Sequence, residues 1–420
     1  MKTILIGLLI ITAVASQAKN NDNIVPGSYI VTLKQGVNRD DVVRNHGVAP
    51  AAVFAHALHG FAGPVPAAKV AALRADPRVA AVEPDRVVSL IQPVRLEAVV
   101  QASGVETLPT GVDRIDAEAH PRTDVSGVNI AIIDTGIWKT HSDLNVVGGY
   151  NCTSTKTANW TDDNGHGTHV AGIAAAKAGN SLGVRGVAPN AKLYAVKVLD
   201  QNGNGQISWV LKGIDWVTAN AASKGIRVAN MSLGFTGTSA ALDTAINNSV
   251  AAGVTYVVAA GNSAADASTF SPANHPLVIT VSAIADSNGR CGGGGPATSY
   301  GADDTFASFS NFGSPVDIAA PGVNIYSCYL GSKTNPGGSY ATMSGTSMAS
   351  PHVAGAAAQY VATNPTATPA AVKSALLANG VPQHFGCIGS TGNGGFTGDP
   401  DHAPGDTGAL AEPLLYVPGL

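Results

Sequence analysis

Asn129-Ile130-Ala131-Ile132-Ile133-Asp134-Thr135-Gly136 decides the fold. An apolar run of this kind, unbroken by polar alternation, reads as a strand buried on both faces. Similar runs return at Leu193 to Val198 and at Val254 to Ala260. Between them Ile207, Val210, Leu211, Ile214 and Val217 mark one face of a helix that stops before Gly225. Arg227 to Leu233 reads as another strand, Ala240 to Ala251 as a helix and Val278 to Ala283 as a strand. This alternation predicts an α/β fold, a mostly parallel sheet with helices on both faces. In such sheets functional residues gather where strands end and helices begin.

Upstream, Tyr29 to Leu33 reads as a strand and Arg39 to His46 as a short helix. Strands follow around Val53 and Phe61. Pro66 to Ala75 is a helix with proline in its opening turn, and Val79 to Val82 closes the unit. The order β-α-β-β-α-β is that of the ferredoxin-like motif, and an α+β unit so short calls for a partner surface. A stretch without periodicity, about Ser89 to Thr110, joins it to the larger unit. At the start, a basic Lys2, apolar residues from Ile4 to Val14 and small residues up to Ala15 and Ala18 read as a secretory signal. The run is too short to span a bilayer, and no later stretch crosses one.

Of the 420 residues, 45% are hydrophobic, enough for a large core and incompatible with a mainly disordered chain. Lys plus Arg number 24 against 28 Asp plus Glu, a net charge of -4. Without a basic surplus, nucleic acid is excluded as the main partner. The four cysteines, Cys152, Cys291, Cys328 and Cys387, contain no CxxC pair, which argues against zinc. Export permits disulfides, and three complete pairings or free thiols all remain open.

Four positions carry candidate chemistry. Asp134 leaves a buried strand, where a carboxylate is either a turn cap or a functional acid. His166 sits in Asp163-Asn164-Gly165-His166-Gly167-Thr168-His169-Val170-Ala171-Gly172, whose glycines let the backbone pack closely around the imidazole. His169 lies three positions on, but without an accompanying Glu the pair is weak as a metal motif. Ser347, in Gly345-Thr346-Ser347-Met348-Ala349-Ser350-Pro351-His352, begins an Ala-rich helix whose free N–H groups favour negative charge. Pro351 falls early enough in that helix to be tolerated. Asn262 closes the strand from Val254 and is a turn residue or an amide donor aimed at an oxyanion.

Together, and in this order, Asp134, His166 and Ser347 with their motifs resemble the subtilisin-like serine proteases. Thr269-Phe270-Ser271-Pro272-Ala273 and Phe309-Ser310-Asn311-Phe312-Gly313-Ser314 resemble the proteinase K branch. The resemblance implies a secreted endopeptidase with Ser347 as nucleophile, His166 as base and then acid, and Asp134 orienting the imidazole. Asn262 and the Ser347 N–H would bind the oxyanion. Ser232, Leu233 and Gly234 would pair with an extended protein or peptide substrate. Ala259, Ala260 and Gly261 would wall a pocket for apolar side chains, with Phe270 near its rim.

The family resemblance also implies structural calcium. Asp143, Asn180, the carbonyls of Leu182 and Val184, and Glu106 match one site, although one extra residue lies between His166 and Asn180. Asp317 with the carbonyls of Pro276 and Val278 resembles a second cation site. Val79 to Asp85 looks like the end of an inhibitory propeptide. The implied organisation is a signal at 1–18, a propeptide and linker at 19–104 and a catalytic domain at 105–420, working as a monomer. Asp286 to Thr305 and the tail from Pro382 depart from the family, and no cysteine matches a proteinase K disulfide. A catalytically silent scaffold is the alternative, and the intact four-residue set counts against it. A nucleotide-binding protein would need a GxGxxG or Walker loop that is absent.

Overall fold

The computed structural model describes residues 23–91, 95–96, 99–101, 104–119, 124–387, 394–401 and 411–420. The expected signal at 1–18 lies outside the described residues. The first unit runs β1 (Ile24–Leu33), α1 (Arg39–His46), β2 (Ala52–Phe54), β3 (Gly60–Pro64), α2 (Ala67–Ala75) and β4 (Val79–Leu90). Its antiparallel sheet has the order β4-β1-β3-β2. Val31 faces Phe61 on one side and Val82 on the other. Side-chain alternation splits this sheet between two cores. Val31, Leu33 and Phe61 pack with Val42 of α1 and Leu73 of α2. Ile30, Phe54, Ala62 and Val88 instead join the core of the larger unit. The small unit thus finds the partner surface that its size calls for.

The larger unit continues with β5 (Arg95–Leu96), α3 (Thr110–Arg114), β6 (Asn129–Asp134), β7 (Val146–Asn151), α4 (His166–Ala175) and β8 (Lys192–Lys197). Next come β9 (Asn204–Gln206), α5 (Ile207–Lys224), β10 (Ile226–Met231), β11 (Leu233–Thr236), α6 (Ala240–Ala251) and β12 (Thr255–Ala259). The remainder is β13 (Phe270–Ser271), β14 (Ile279–Ala285), β15 (Thr305–Phe306), β16 (Ile318–Pro321), β17 (Ile325–Tyr329), β18 (Ser339–Ser344), α7 (Thr346–Thr363) and α8 (Pro369–Asn379).

The central sheet has the order β15-β14-β12-β10-β6-β8-β7, with β16 also on β14. Only the β14–β15 pairing is antiparallel. Every residue of β6 is buried. Ile130 and Ile132 enter the core shared with α4 and α7, while Ala131 and Ile133 enter the one shared with α5 and α6. Strand order reverses at β6, so its carboxyl end, Asp134, opens on a crevice between diverging connections.

Two strands differ from their sequence reading. Arg227 to Leu233 is broken at Ser232, because β11 leaves the central sheet to pair with β4 and β13. The last strand of the first unit runs on to Leu90, because residues 87–90 find partners in the larger unit. The departures at 286–305 and in the tail belong together. Cys291 and Cys387 form a disulfide 96 residues apart. Arg114, fully buried, pairs with Asp304 at 2.6 Å and donates to the Gly394 carbonyl at 2.8 Å. The tail returns along β16, where Leu415 N–H donates to Ala319 O and Ala319 N–H to Pro413 O, which covers that sheet edge. Cys152 and Cys328 are free and buried, and burial pushes the Cys152 thiol up to about 12. No helix of the described residues is long and apolar enough to cross a membrane.

Candidate active site

A fully buried carboxylate is costly unless hydrogen-bonded, and Asp134 is held on several sides. Thr135 N–H donates to Oδ1 at 2.7 Å. His166 Nδ1 lies 2.8 Å from Oδ1 and 3.0 Å from Oδ2. In the neutral ring this contact puts the proton on Nδ1 and leaves Nε2 with a lone pair able to accept one. His166 itself opens α4, and the flanking glycines are sterically required. A Cβ on Gly165 (φ +111°) would lie 2.3 Å from the Tyr329 ring, and one on Gly167 would lie 2.1 Å from the Gly136 carbonyl.

Asp162, which the sequence reading passed over, organises this loop. Its Oδ1 accepts from Thr135 Oγ1 at 2.8 Å and from the N–H groups of Asn164 and Gly165 at 3.0 Å. Its Oδ2 accepts from Thr168 N–H at 2.9 Å and Thr168 Oγ1 at 2.6 Å. Lys197 at the end of β8 is buried and donates to Thr135 O at 2.7 Å, Leu199 O at 3.0 Å and Asp163 Oδ1 at 2.6 Å. The turn after Asp134 is thereby tied to the turn before His166. Asp-Asp-Asn-Gly was a readable turn signal, but its convergence on Thr135 is a tertiary fact. His169 faces the carbonyls of Ile325 and Ala341 at 3.1 and 3.0 Å, and burial lowers its pKa to about 3. It is a neutral packing residue. Among the described residues no three His, Cys, Asp or Glu side chains are grouped to hold a metal ion.

Ser347 is the second residue of α7. Its hydroxyl donates to the Ile91 carbonyl at 3.1 Å and lies 3.4 Å from Ser232 O. His166 Nε2 is buried and makes no hydrogen bond among the described residues. Pro351 stands inside α7 and cannot donate to the Ser347 carbonyl one turn back. Ser232 Oγ supplies the missing donor at 3.1 Å, within a buried network linking it to Ser350 Oγ and Asn230. Asn262 Oδ1 accepts from Thr346 N–H at 2.9 Å and Thr346 Oγ1 at 2.8 Å, so Nδ2 is its donor end. Gly261 N–H donates to Thr346 Oγ1 at 3.2 Å, placing the turn after Ala259 and Ala260 beside the start of α7, next to Ser347.

The residues just before Ile91 run between two strand edges. Leu90 pairs with Leu233 and Ser89 with Gly234 on β11, two of the residues that the family resemblance assigned to substrate pairing. On the other side Val87, Val88 and Ser89 pair with Gln206, Gly205 and Asn204 of β9, and Leu90 N–H donates to Gly203 O at 2.8 Å. This second wall was missed, since Asn204-Gly205-Gln206 has the composition of a turn. The Phe270 ring packs on Gly234. Farther back, three carboxylates dock the small unit on helices. Glu83 accepts from Ala241 N–H at the start of α6, and Asp85 from Ser208 N–H at the start of α5. Asp215 of α5 accepts the N–H groups of Ala55, His56 and Ala57. Helix N-termini favour anions such as Glu83 and Asp85.

Of the first calcium set, the side chains of Asp143, Asn180 and Glu106 meet at the 179–184 loop, where Leu182 and Val184 turn their N–H groups toward them. Asp143 is buried and accepts from Asn180 Nδ2 at 2.7 Å and Val184 N–H at 2.9 Å. Glu106 takes the Gly179 N–H of the same loop, and Leu182 N–H bonds to Asn180 Oδ1 at 3.0 Å. Burial pushes the Asp143 carboxyl above its usual range, which a cation would relieve. These hard oxygen donors fit calcium in kind, once the Asn180 amide turns its oxygen inward. The second set fares differently. Asp317, Pro276 and Val278 converge on the Lys373 ammonium, so the expected cation position is already taken.

Comparison with known proteins agrees with this geometry. Residues 125–397 match the subtilase family (peptidase S8), and residues 28–91 match peptidase inhibitor I9. The chain belongs to the subtilase family. It is 44% identical over 276 residues to subtilisin NAT of Bacillus subtilis subsp. natto, covering 64% of this chain and 65% of the relative. It is 43% identical to a Bacillus pumilus subtilisin over 64% of this chain and 90% of the relative. A crystal structure described as a cold adapted subtilisin-like serine proteinase superposes with a TM-score of 0.54 at 35% identity. That match covers 73% of this chain and 97% of the other. The subtilase thus spans slightly under two thirds of the first of these curated relatives.

Proposed function

We propose that this subtilase is a secreted serine endopeptidase that is made as a zymogen and cuts itself after Ile91. The carrying observation is the 3.1 Å hydrogen bond from Ser347 Oγ to the Ile91 carbonyl, with residues 87–90 laid as a strand between β9 and β11. That is substrate pairing by strand addition, made by the chain's own propeptide. The I9 match ending at residue 91 supports the same boundary, upstream of the catalytic-domain start at residue 105 that the family resemblance implied.

In the reaction, Ser347 Oγ swings from the Ile91 carbonyl oxygen toward His166 Nε2, gives up its proton and attacks the carbonyl carbon. Asp134 holds the ring and stabilises the imidazolium. Asn262 Nδ2 and the Ser347 N–H receive the oxyanion, and His166 returns the proton to the leaving amine. Water on His166 then releases the acyl group. Buried Ile91 in the cleft supports a preference for apolar side chains before the cut. The proteinase K-like placement has two segments in its favour, Thr269–Ala273 and Phe309–Ser314, against 43–44% identity to bacterial subtilisins. A disulfide supports an oxidising destination. The chain should process itself to begin at Gln92, and a fluorophosphonate should then label Ser347 with loss of fluoride. Absence of both labelling and processing would favour the silent scaffold.

Calcium at Asp143, with Asn180, Glu106 and the carbonyls of Leu182 and Val184, is proposed as structural. A ligand present at 100 times its Kd stabilises by about 2.7 kcal/mol. EDTA should therefore lower the thermal midpoint by several degrees, and Asp143→Asn should remove that response. An unchanged wild-type midpoint in EDTA would eliminate this site.

A further inference from the structure

We infer that the Lys373 ammonium is a built-in substitute for a metal ion at the position framed by Asp317, Pro276 and Val278. Lys373 lies in the second turn of α8, directed at the turn before β14. Its Nζ is 2.7 Å from Asp317 Oδ1, 2.7 Å from Val278 O and 3.3 Å from Pro276 O. An ammonium has three N–H donors, and here each has one oxygen acceptor. One carboxylate and two peptide carbonyls form a hard-oxygen set of the type that binds calcium, yet all three are committed to a tethered charge. The other Asp317 oxygen is also engaged, accepting Thr280 N–H at 2.9 Å.

A divalent ion placed among these oxygens would stand within contact distance of a positive charge, so the two cations exclude one another. Tethering also changes what the site does. A free ion leaves when calcium falls, whereas Lys373 is bonded to α8 and holds that helix against β14 whatever the calcium concentration. Asp317 remains partly shielded, with 18% of its side chain exposed, so the pair is stronger than a fully solvated one. Lys373 thus makes this corner of the fold independent of calcium, in contrast to the site proposed at Asp143.

Calcium stoichiometry and thermal midpoints, measured on the full chain in a Ser347→Ala background to prevent self-digestion, test this separately from any activity. Asp317→Asn should leave the number of bound calcium ions unchanged. Lys373→Met, which keeps the apolar stem, should lower the midpoint by roughly 2–4 °C in EDTA. In calcium it should either gain one ion, lost again in the Lys373→Met/Asp317→Asn double variant, or show the same lowered midpoint. Loss of one bound calcium in Asp317→Asn would overturn the inference. So would a Lys373→Met chain with unchanged midpoint and unchanged stoichiometry.

Discussion

Ser347→Ala is expected to lower kcat on peptide substrates on the order of a million-fold, the magnitude known for this substitution in subtilisin itself. It should also leave the chain uncut after Ile91. Both losses come from one atom, because the hydroxyl facing the Ile91 carbonyl is the proposed nucleophile for the propeptide and for later substrates. The variant should fold. Ser347 is fully buried at the start of α7, and alanine removes a hydroxyl while sparing the backbone carbonyl that Ser232 holds. Mass spectrometry and a peptide hydrolysis assay are both needed. Processing at the wild-type rate by purified Ser347→Ala would remove Ser347 from the mechanism.

Asn262→Ala should lower kcat by a factor of about 100 to 1,000 with little change in KM, the loss known for removing such a donor in subtilisin. The amide's carbonyl end is pinned by both the N–H and the hydroxyl of Thr346, so Nδ2 is presented without a reorganisation cost when charge develops. Ground-state substrate has no oxyanion, which is why binding should be spared. Thr346→Val, which removes one of the two pins, should produce a smaller loss of the same kind. A KM rise with unchanged kcat in Asn262→Ala would mean that the residue shapes the cleft and does not stabilise charge.

The four candidate residues could be picked out because each closes or opens an element whose period can be read locally. Each alone was equally a cap or turn residue, and their proposed roles came from the family resemblance of the ordered set. Asp134 ends an unbroken apolar strand, Asn262 follows another, and His166 and Ser347 begin helices. Lys373 was invisible as a cation-site occupant, since nothing in Pro369–Asn379 hints that its fifth residue reaches carbonyls some 95 positions upstream. Pro351 reads as early in its helix, yet it lies past the first turn, and its missing hydrogen bond is made good only by Ser232 from another strand.

Sequence alone determined the long central strands and helices, the two-unit order and the candidate residues at their ends, because hydrophobic period and turn chemistry act over a few residues. Tertiary structure alone decided that Cys291 pairs with Cys387, that β9 forms the second wall of the cleft, that Asp162 ties two active-site turns, and that an ammonium fills the Asp317 site. Each of these depends on which distant segments meet, and burial and strand pairing settle such meetings between surfaces that are far apart along the chain.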